Sequence, residues 1–363
     1  MYSPFSLENI SEIFGADAAD TEEPARLYTF FVSNDSYDDM RVPNPLSLIV
    51  GQKGIGKTAL MVVSSLDDKR DGFPHIFIRG SQILSTAEVS AGGSATILKF
   101  RSVVEDALLH TVADTLSREA AEFIGAPVKA GGVIGTLTRL GTSIATGQSE
   151  ALKRAASKLT PWLLRAIPAV NVYIDDTDVE WDGSKVAAER IGRLIQACFQ
   201  LASEAQGDLR FKISIRSDLF NYLSVTADFI DKIQSSVVKC RWKNDQVFRV
   251  IAKRIAVHDN KEIDDDVILS LGQEELFKEY FLSYFEERFR DKGAWENHPM
   301  RQVLLSFVRQ RPRDLIGLCR LAAKEAERNG TKIDTSCLKA IISEYSNNRL
   351  NDTVVEFRTE LPT

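Results

Sequence analysis

The chain has 363 residues, 44% of them hydrophobic and 26% charged, and 45 basic against 51 acidic side chains leave a formal charge of −6. That length suits one large domain plus a smaller one, and the acidic balance excludes a wholly basic nucleic-acid binder without excluding a local basic face. The four cysteines, Cys198, Cys240, Cys319 and Cys337, sit far apart in apolar contexts with no C-x-x-C spacing, so they read as buried thiols of a reducing compartment rather than zinc ligands.

The chain begins Met1-Tyr2-Ser3-Pro4, without a basic region followed by an apolar core, so no signal peptide is expected. No run of about 18 uncharged apolar residues predicts a membrane span, and the expected location is cytoplasmic. Residues 1–24 read as an acidic N-terminal extension, followed by a helix through Leu27-Tyr28-Thr29-Phe30-Phe31. Phe31 and Tyr37 are candidates to stack on a base, although core packing explains either one alone.

The most informative stretch is Ser47-Leu48-Ile49-Val50-Gly51-Gln52-Lys53-Gly54-Ile55-Gly56-Lys57-Thr58, an apolar strand, a glycine turn and the start of a helix continuing Ala59-Leu60-Met61-Val62-Val63. Gly51 to Thr58 matches the phosphate-binding pattern G-x-x-x-x-G-K-[ST]. Glycines let the turn aim its backbone N–H groups inward, and the helix start adds unpaired N–H groups and a positive dipole end. Lys57 supplies a charge for β- and γ-phosphates and Thr58 a hydroxyl for Mg²⁺. The plain alternative is a glycine turn that binds nothing. The strand before it and the helix after it favour the phosphate loop.

Downstream, residues 75–80 read as a second strand and 97–123 as a helix with a Phe100, Val103, Val104, Ala107, Leu108 stripe. The glycine-rich stretch 125–148 reads as an insertion, and helix returns over 150–167. Val170 to Asp176 is a strand ending in two carboxylates. Asp175 suits a metal-orienting role and Asp176 the activation of water, with Asp178 and Glu180 as further carboxylates. A helix over 184–205, a strand over 211–216 and a last strand over 236–242 follow. Strands alternating with helices predict a parallel α/β sheet sandwiched by helices. Arg216 ends a strand and reads either as a phosphate contact in its own subunit, as a finger to a neighbour, or as a surface ion pair. From Asn244 the patterns are helical. Pro312 suits a first helical position, which places Arg313 at a helix start. The basic stretch 301–332 offers a surface for nucleic-acid phosphates.

Taken together, Gly51–Thr58, Ile174-Asp175-Asp176-Thr177-Asp178, Ile215-Arg216-Ser217-Asp218 and Arg311-Pro312-Arg313 resemble the AAA+/STAND-type P-loop ATPases. Val238 to Trp242, with Lys253-Arg254-Ile255, is similar to the bacterial KAP-like and initiator-like branch, and the start of the chain resembles uncharacterised bacterial members, some encoded near antiviral systems. The resemblance implies ATP and Mg²⁺ as cofactors, bound by Gly51, Gln52, Lys53, Gly54, Ile55, Gly56, Lys57, Thr58 and Ala59. It also implies Thr58 and Asp175 at the metal, Asp176 as the water-activating residue, Arg216 near sensor 1 and Arg313 as the sensor-2 arginine. Asp176 stands where glutamate is usual, which implies slow or partner-activated turnover, and relatives often continue into a further C-terminal domain.

The expected layout is an N-terminal extension (1–24), a P-loop NTPase core (25–243), an all-helical lid (244–350) and a tail (351–363). The expected activity is an ATPase acting as a nucleotide-driven switch, in a homo-oligomer or with a partner protein, in antiviral defence. The rival is a DNA-associated ATPase of initiator or loader type. A small-molecule kinase fits less well, because it has less need of Asp176 directly after Asp175.

Overall fold

The computed structural model describes residues 3–15, 21–91, 95–108, 169–179, 181–261 and 265–360. The glycine-rich stretch 125–148, the expected helix 150–167 and Glu180 lie outside the described residues. Three short helices precede the sheet: α1 (Leu7–Phe14), α2 (Pro24–Phe30) and α3 (Asp35–Arg41). Each begins for a local reason. The Ser6 hydroxyl accepts from Asn9 N–H at 3.1 Å, Pro24 occupies the first turn of α2, and the Asn34 side chain accepts from Tyr37 N–H at 3.0 Å. That Asn34 cap starts the helix over residues 35–41.

Strand β1 (Leu46–Gly51) runs through the glycine turn into α4 (Lys57–Arg70), followed by β2 (His75–Arg79), α5 (Gly80–Ala91) and α6 (97–108). Then come β3 (Val170–Asp175), α7 (Lys185–Glu204), β4 (Leu209–Arg216), α8 (Ser217–Thr226), a 3₁₀ stretch (Asp228–Ser236) and β5 (Val237–Lys239). The five strands pair in parallel in the order β2-β3-β4-β1-β5. This is the expected parallel sheet with flanking helices. Strand β5 stops before the expected Trp242. Cys240 N–H still reaches Val50 O at 2.8 Å, but the Trp242 ring turns to the glycine loop.

Parallel strands covered on both faces are usually continuous apolar runs. Strand β4 instead alternates. Phe211, Ile213 and Ile215 join the apolar core that α6, α7 and α8 close, while Lys212, Ser214 and Arg216 face the side of α4. The α4 side is therefore partly polar, and its apolar remainder merges with the helical half of the molecule.

That half comprises α9 (Asn244–His258), α10 (Asp265–Ser270), α11 (Gln273–Leu276), a π turn (Phe277–Phe281), α12 (Met300–Ser306), α13 (Pro312–Asn329) and α14 (Thr335–Glu360). It departs from an all-helical reading between the π turn and α12. There Gly293 and Asn297 take left-handed φ values of 121° and 57°, and isolated bridges join Phe285 to Ile333 and Arg288 to Pro299. Helix α14 continues through 350 without a break. Helix α1 packs on α9 and α13 with Ile13 and Phe14 fully buried, so the N-terminal extension is built into the helical half. Each such side chain contributes about 1.5–3 kcal/mol by burial. No helix among the described residues is long and apolar enough to cross a membrane.

Candidate functional site

The site starts where β1 ends. Gly51 lies opposite Arg216 in the sheet, and a Cβ on it would come within 2.7 Å of Ile55 Cγ2, so the turn closes only around glycine. Gly56, at φ 100°, hands the chain to α4, whose first residue is Lys57. The unpaired N–H groups of the first turn of α4 therefore border the loop. The Lys57 ammonium folds back on the loop, donating to Gly51 O at 3.0 Å and Gln52 O at 3.4 Å.

Two strand ends complete the arrangement. Asp175 closes β3 and is 3% exposed, with the Ser214 hydroxyl of β4 donating to its carboxylate. Arg216 closes β4. Its Nε and Nη2 donate to the two Asp218 oxygens at 3.0 and 2.8 Å, and Nε lies 3.9 Å from Asp178 Oδ2. Trp181 Nε1–H donates to the same Asp218 at 2.9 Å. Arg216 is thus paired within its own chain. Asp176 takes a left-handed φ of 57°, and its carboxylate lies 3.9 Å from Arg79. Burial pushes the Asp178 carboxyl up. The positive charges of Lys57 and Arg216 partly offset this and the Asp175 charge adds to it, so these groups share one field.

Lys57, Asp175, Asp176, Asp178 and Arg216 line one cavity of about 660 Å³, while Gly51, Gln52 and Ile55 of the loop do not reach its wall. Lys57, Thr58, Asp175, Asp176, Asp178 and Arg216 form a polar wall, and Leu27, Phe30, Phe31, Val32, Val250 and Ile316 an apolar one. A polar wall for phosphates and an apolar wall for a flat ring is what a nucleotide needs. Phe31 belongs to the apolar wall. Tyr37 instead packs on Phe31 at 4.9 Å and donates its hydroxyl to Asp67, so the two aromatic candidates separate.

Among the described residues, no group of three or more His, Cys, Asp or Glu side chains converges as a metal cage. Thr58 and Asp175 supply a hydroxyl and a carboxylate to the cavity. That donor set fits Mg²⁺, which favours one or two protein oxygens together with phosphate oxygens and water.

Arg313 lines the cavity from the helical half, and its Cδ lies 3.1 Å from where a Cβ on Gly54 would sit. Sequence reasoning missed the role of its neighbour. Arg311 is 5% exposed and donates to the Gln52 side chain and to Lys53 O. The one available signal was its position just before Pro312, where a side chain leaves the helix start at a different angle. Three of the other basic residues of 301–332 are engaged elsewhere. Arg301 pairs with Glu274 at 3.2 Å, Arg328 with Glu325 at 3.4 Å, and Lys332 donates to Leu282 O at 2.5 Å.

A family model described as the FunZ-associated C-terminal helical domain matches residues 245–354. No curated protein matches the chain. Among solved structures it is similar to the Walker-type ATPase PABY2304 of Pyrococcus abyssi, at 15% identity over 92% of this chain and 80% of that one, with a TM-score of 0.45. It is also similar to domain III of the replication initiation protein DnaA of Thermotoga maritima, at 11% identity over 88% of this chain and 95% of that one, with a TM-score of 0.38.

Proposed function

We propose that this chain binds ATP with Mg²⁺ and hydrolyses it slowly, using the nucleotide to set the state of its helical half. One observation carries the reading. Lys57 and Thr58, Asp175, and Arg216, from three separate strand ends, meet in one cavity with an apolar wall. On this reading the loop N–H groups and Lys57 hold the β- and γ-phosphates. Bound through Thr58 and Asp175, Mg²⁺ would neutralise phosphate charge. Asp176 accepts the proton of the attacking water as its oxygen bonds to the γ-phosphorus and the bond to the bridging oxygen breaks, releasing ADP. Arg216, anchored by Asp218, and Arg313 face the charge that develops on the γ-phosphoryl oxygens. Asp178 competes for the role of Asp176, because it lies in the field of Lys57 and Asp175.

The helical half corresponds to a family named for its association with FunZ, and we read it as the same kind of module fused to an ATPase core. Self-assembly or a protein partner would then read the nucleotide state. The DNA-associated alternative rests on 301–332, where Arg311 is committed to the loop and Arg301 and Arg328 to acids. A setting in antiviral defence comes from the resemblance alone, and the chemistry stands without it. The test is ATP turnover by the purified chain with and without Mg²⁺. Phosphate release that depends on Mg²⁺ and disappears in Lys57→Ala supports the reading. Equal release by both proteins overturns it.

A further inference from the structure

The helical half does more than roof the cavity. Two of its entrances hold the phosphate loop. Trp242, two residues before α9, donates Nε1–H to Ile55 O at 2.6 Å. Arg311, one residue before α13, donates Nη1–H to Lys53 O at 3.2 Å and uses Nε and Nη2 on Gln52 Oε1 at 3.2 and 2.6 Å. Burying a guanidinium is costly unless its donors are used, so this one is committed to the loop. Gln52 and Lys53 are themselves exposed; Gln52 O accepts from Ile55 N–H at 3.3 Å and from Lys57 at 3.4 Å, while Lys53 O accepts from Arg311.

We propose that Arg311 is a positioning residue that sets the direction of the loop amides and so couples the helical half to phosphate affinity. This rests on the nucleotide reading above. In a planar trans peptide the C=O of one residue and the N–H of the next point in opposite directions. Holding Lys53 O against Arg311 therefore turns Gly54 N–H away from the arginine. Holding Ile55 O against Trp242 does the same for Gly56 N–H. Gly54 and Gly56 both line the cavity, so the two carbonyl contacts preset amides that an anion needs. The arrangement works in both directions. A movement of α13 that withdraws Arg311 loosens the amides, and a bound phosphate that fixes the amides holds α13 in place. Arg313, on the other side of Pro312, lies over Gly54 and, on the nucleotide reading, would face the γ-phosphate. The two arginines thus divide the work: Arg311 serves every nucleotide that fills the loop, and Arg313 only a triphosphate.

The test uses the full chain with Mg²⁺ and measures Kd for ATP, ADP and adenosine, together with kcat at saturating ATP. The variants are Arg311→Met, Arg311→Lys, Gln52→Ala and the double variant Arg311→Met with Gln52→Ala. Arg311→Met is expected to raise Kd for ATP and ADP alike by about tenfold, with kcat at saturation within about twofold and adenosine binding unchanged. A lysine cannot reproduce the fork, so Arg311→Lys should recover part of the affinity and no more. The double variant should bind no worse than Arg311→Met, since Arg311→Met already removes the contact to Gln52. Arg311→Lys keeps the buried charge and loses the fork, so it decides the matter if Arg311→Met fails to fold. Unchanged ATP and ADP affinity in Arg311→Met, or in Arg311→Lys where Arg311→Met does not fold, overturns the inference alone, as does additivity in the double variant. A wild type that binds neither nucleotide overturns the nucleotide reading and this inference with it.

Discussion

Two polar clusters lie along α4, and each contains a lysine. The first is sealed between α4 and the sheet. There the Lys212 ammonium donates to the Tyr173 hydroxyl at 3.0 Å and to Ser64 Oγ at 3.4 Å. Tyr173 and Asn171 donate to Asp68 at 2.6 and 2.8 Å, and Arg41 pairs with the same carboxylate. The second cluster lies at the N-terminal end of the helix. Its lysine, Lys57, reaches only backbone carbonyl oxygens of its own loop and faces a cavity with Asp175 and Arg216. In the first cluster the polar groups satisfy one another inside the fold. In the second they converge on a space. The comparison teaches that residue type alone does not mark a working site; what marks it is donors and charges directed at a cavity that a ligand can fill.

The sharpest way to break that contrast is to swap the lysines' fates. Lys57→Ala should weaken ATP binding by about 10²-fold or more while leaving thermal stability close to wild type, because it removes a charge aimed at phosphates. Titration with a fluorescent ATP analogue beside a melting curve checks both halves. Lys212→Met should do the opposite, shifting stability and sparing ATP affinity.

Within the cavity, Asp176→Asn should keep ATP binding and lower turnover by about 10²-fold, since an amide accepts no proton from water. If Asp178→Asn costs more turnover than Asp176→Asn, the two carboxylates exchange roles.

Much of this was legible in the sequence, for local reasons. The strand, glycine turn and helix start over 46–70 could be read because they are contiguous, and the place of Asp175 because a carboxylate at a strand end is a local pattern. The alternation of Lys212, Ser214 and Arg216 in β4 is also visible in the chain, although what each one meets is not. Arg311 stayed hidden because its partners, Gln52 and Lys53, lie more than 250 residues away. The same holds for α1, whose packing on α9 and α13 is a product of tertiary docking. Within the basic stretch 301–332 the sequence shows the charges but not their distant partners, such as Glu274 for Arg301.

The sealed cluster makes its own prediction. Burial lowers the Lys212 ammonium from its ordinary 10.5 to about 8, with the Asp68 charge opposing that shift. The folded state therefore prefers the neutral amine. Stability linked to this group is fully present above the unfolded value and is lost as pH falls through the folded one. Relative to Lys212→Met, wild type should gain up to about 3 kcal/mol in stability between pH 8 and pH 10.5. Chemical denaturation of both proteins across that window checks the sign, and a flat difference contradicts it. A smaller effect is expected at the cavity roof. Arg313→Ala should lower hydrolysis by about tenfold and change ADP affinity by less than about twofold, because ADP lacks the γ-phosphate that this arginine faces. Steady-state turnover and ADP titration on the same preparation separate these outcomes.

The central claim is that the cavity at the end of β1 is a nucleotide site whose affinity depends on Lys57. Calorimetric titration of ATP with Mg²⁺ into wild type and Lys57→Ala tests it most directly. The account predicts one site per wild-type chain with micromolar affinity, and heat too small to fit in a folded Lys57→Ala protein. The same binding curve from both proteins, or no binding by wild type, would contradict it.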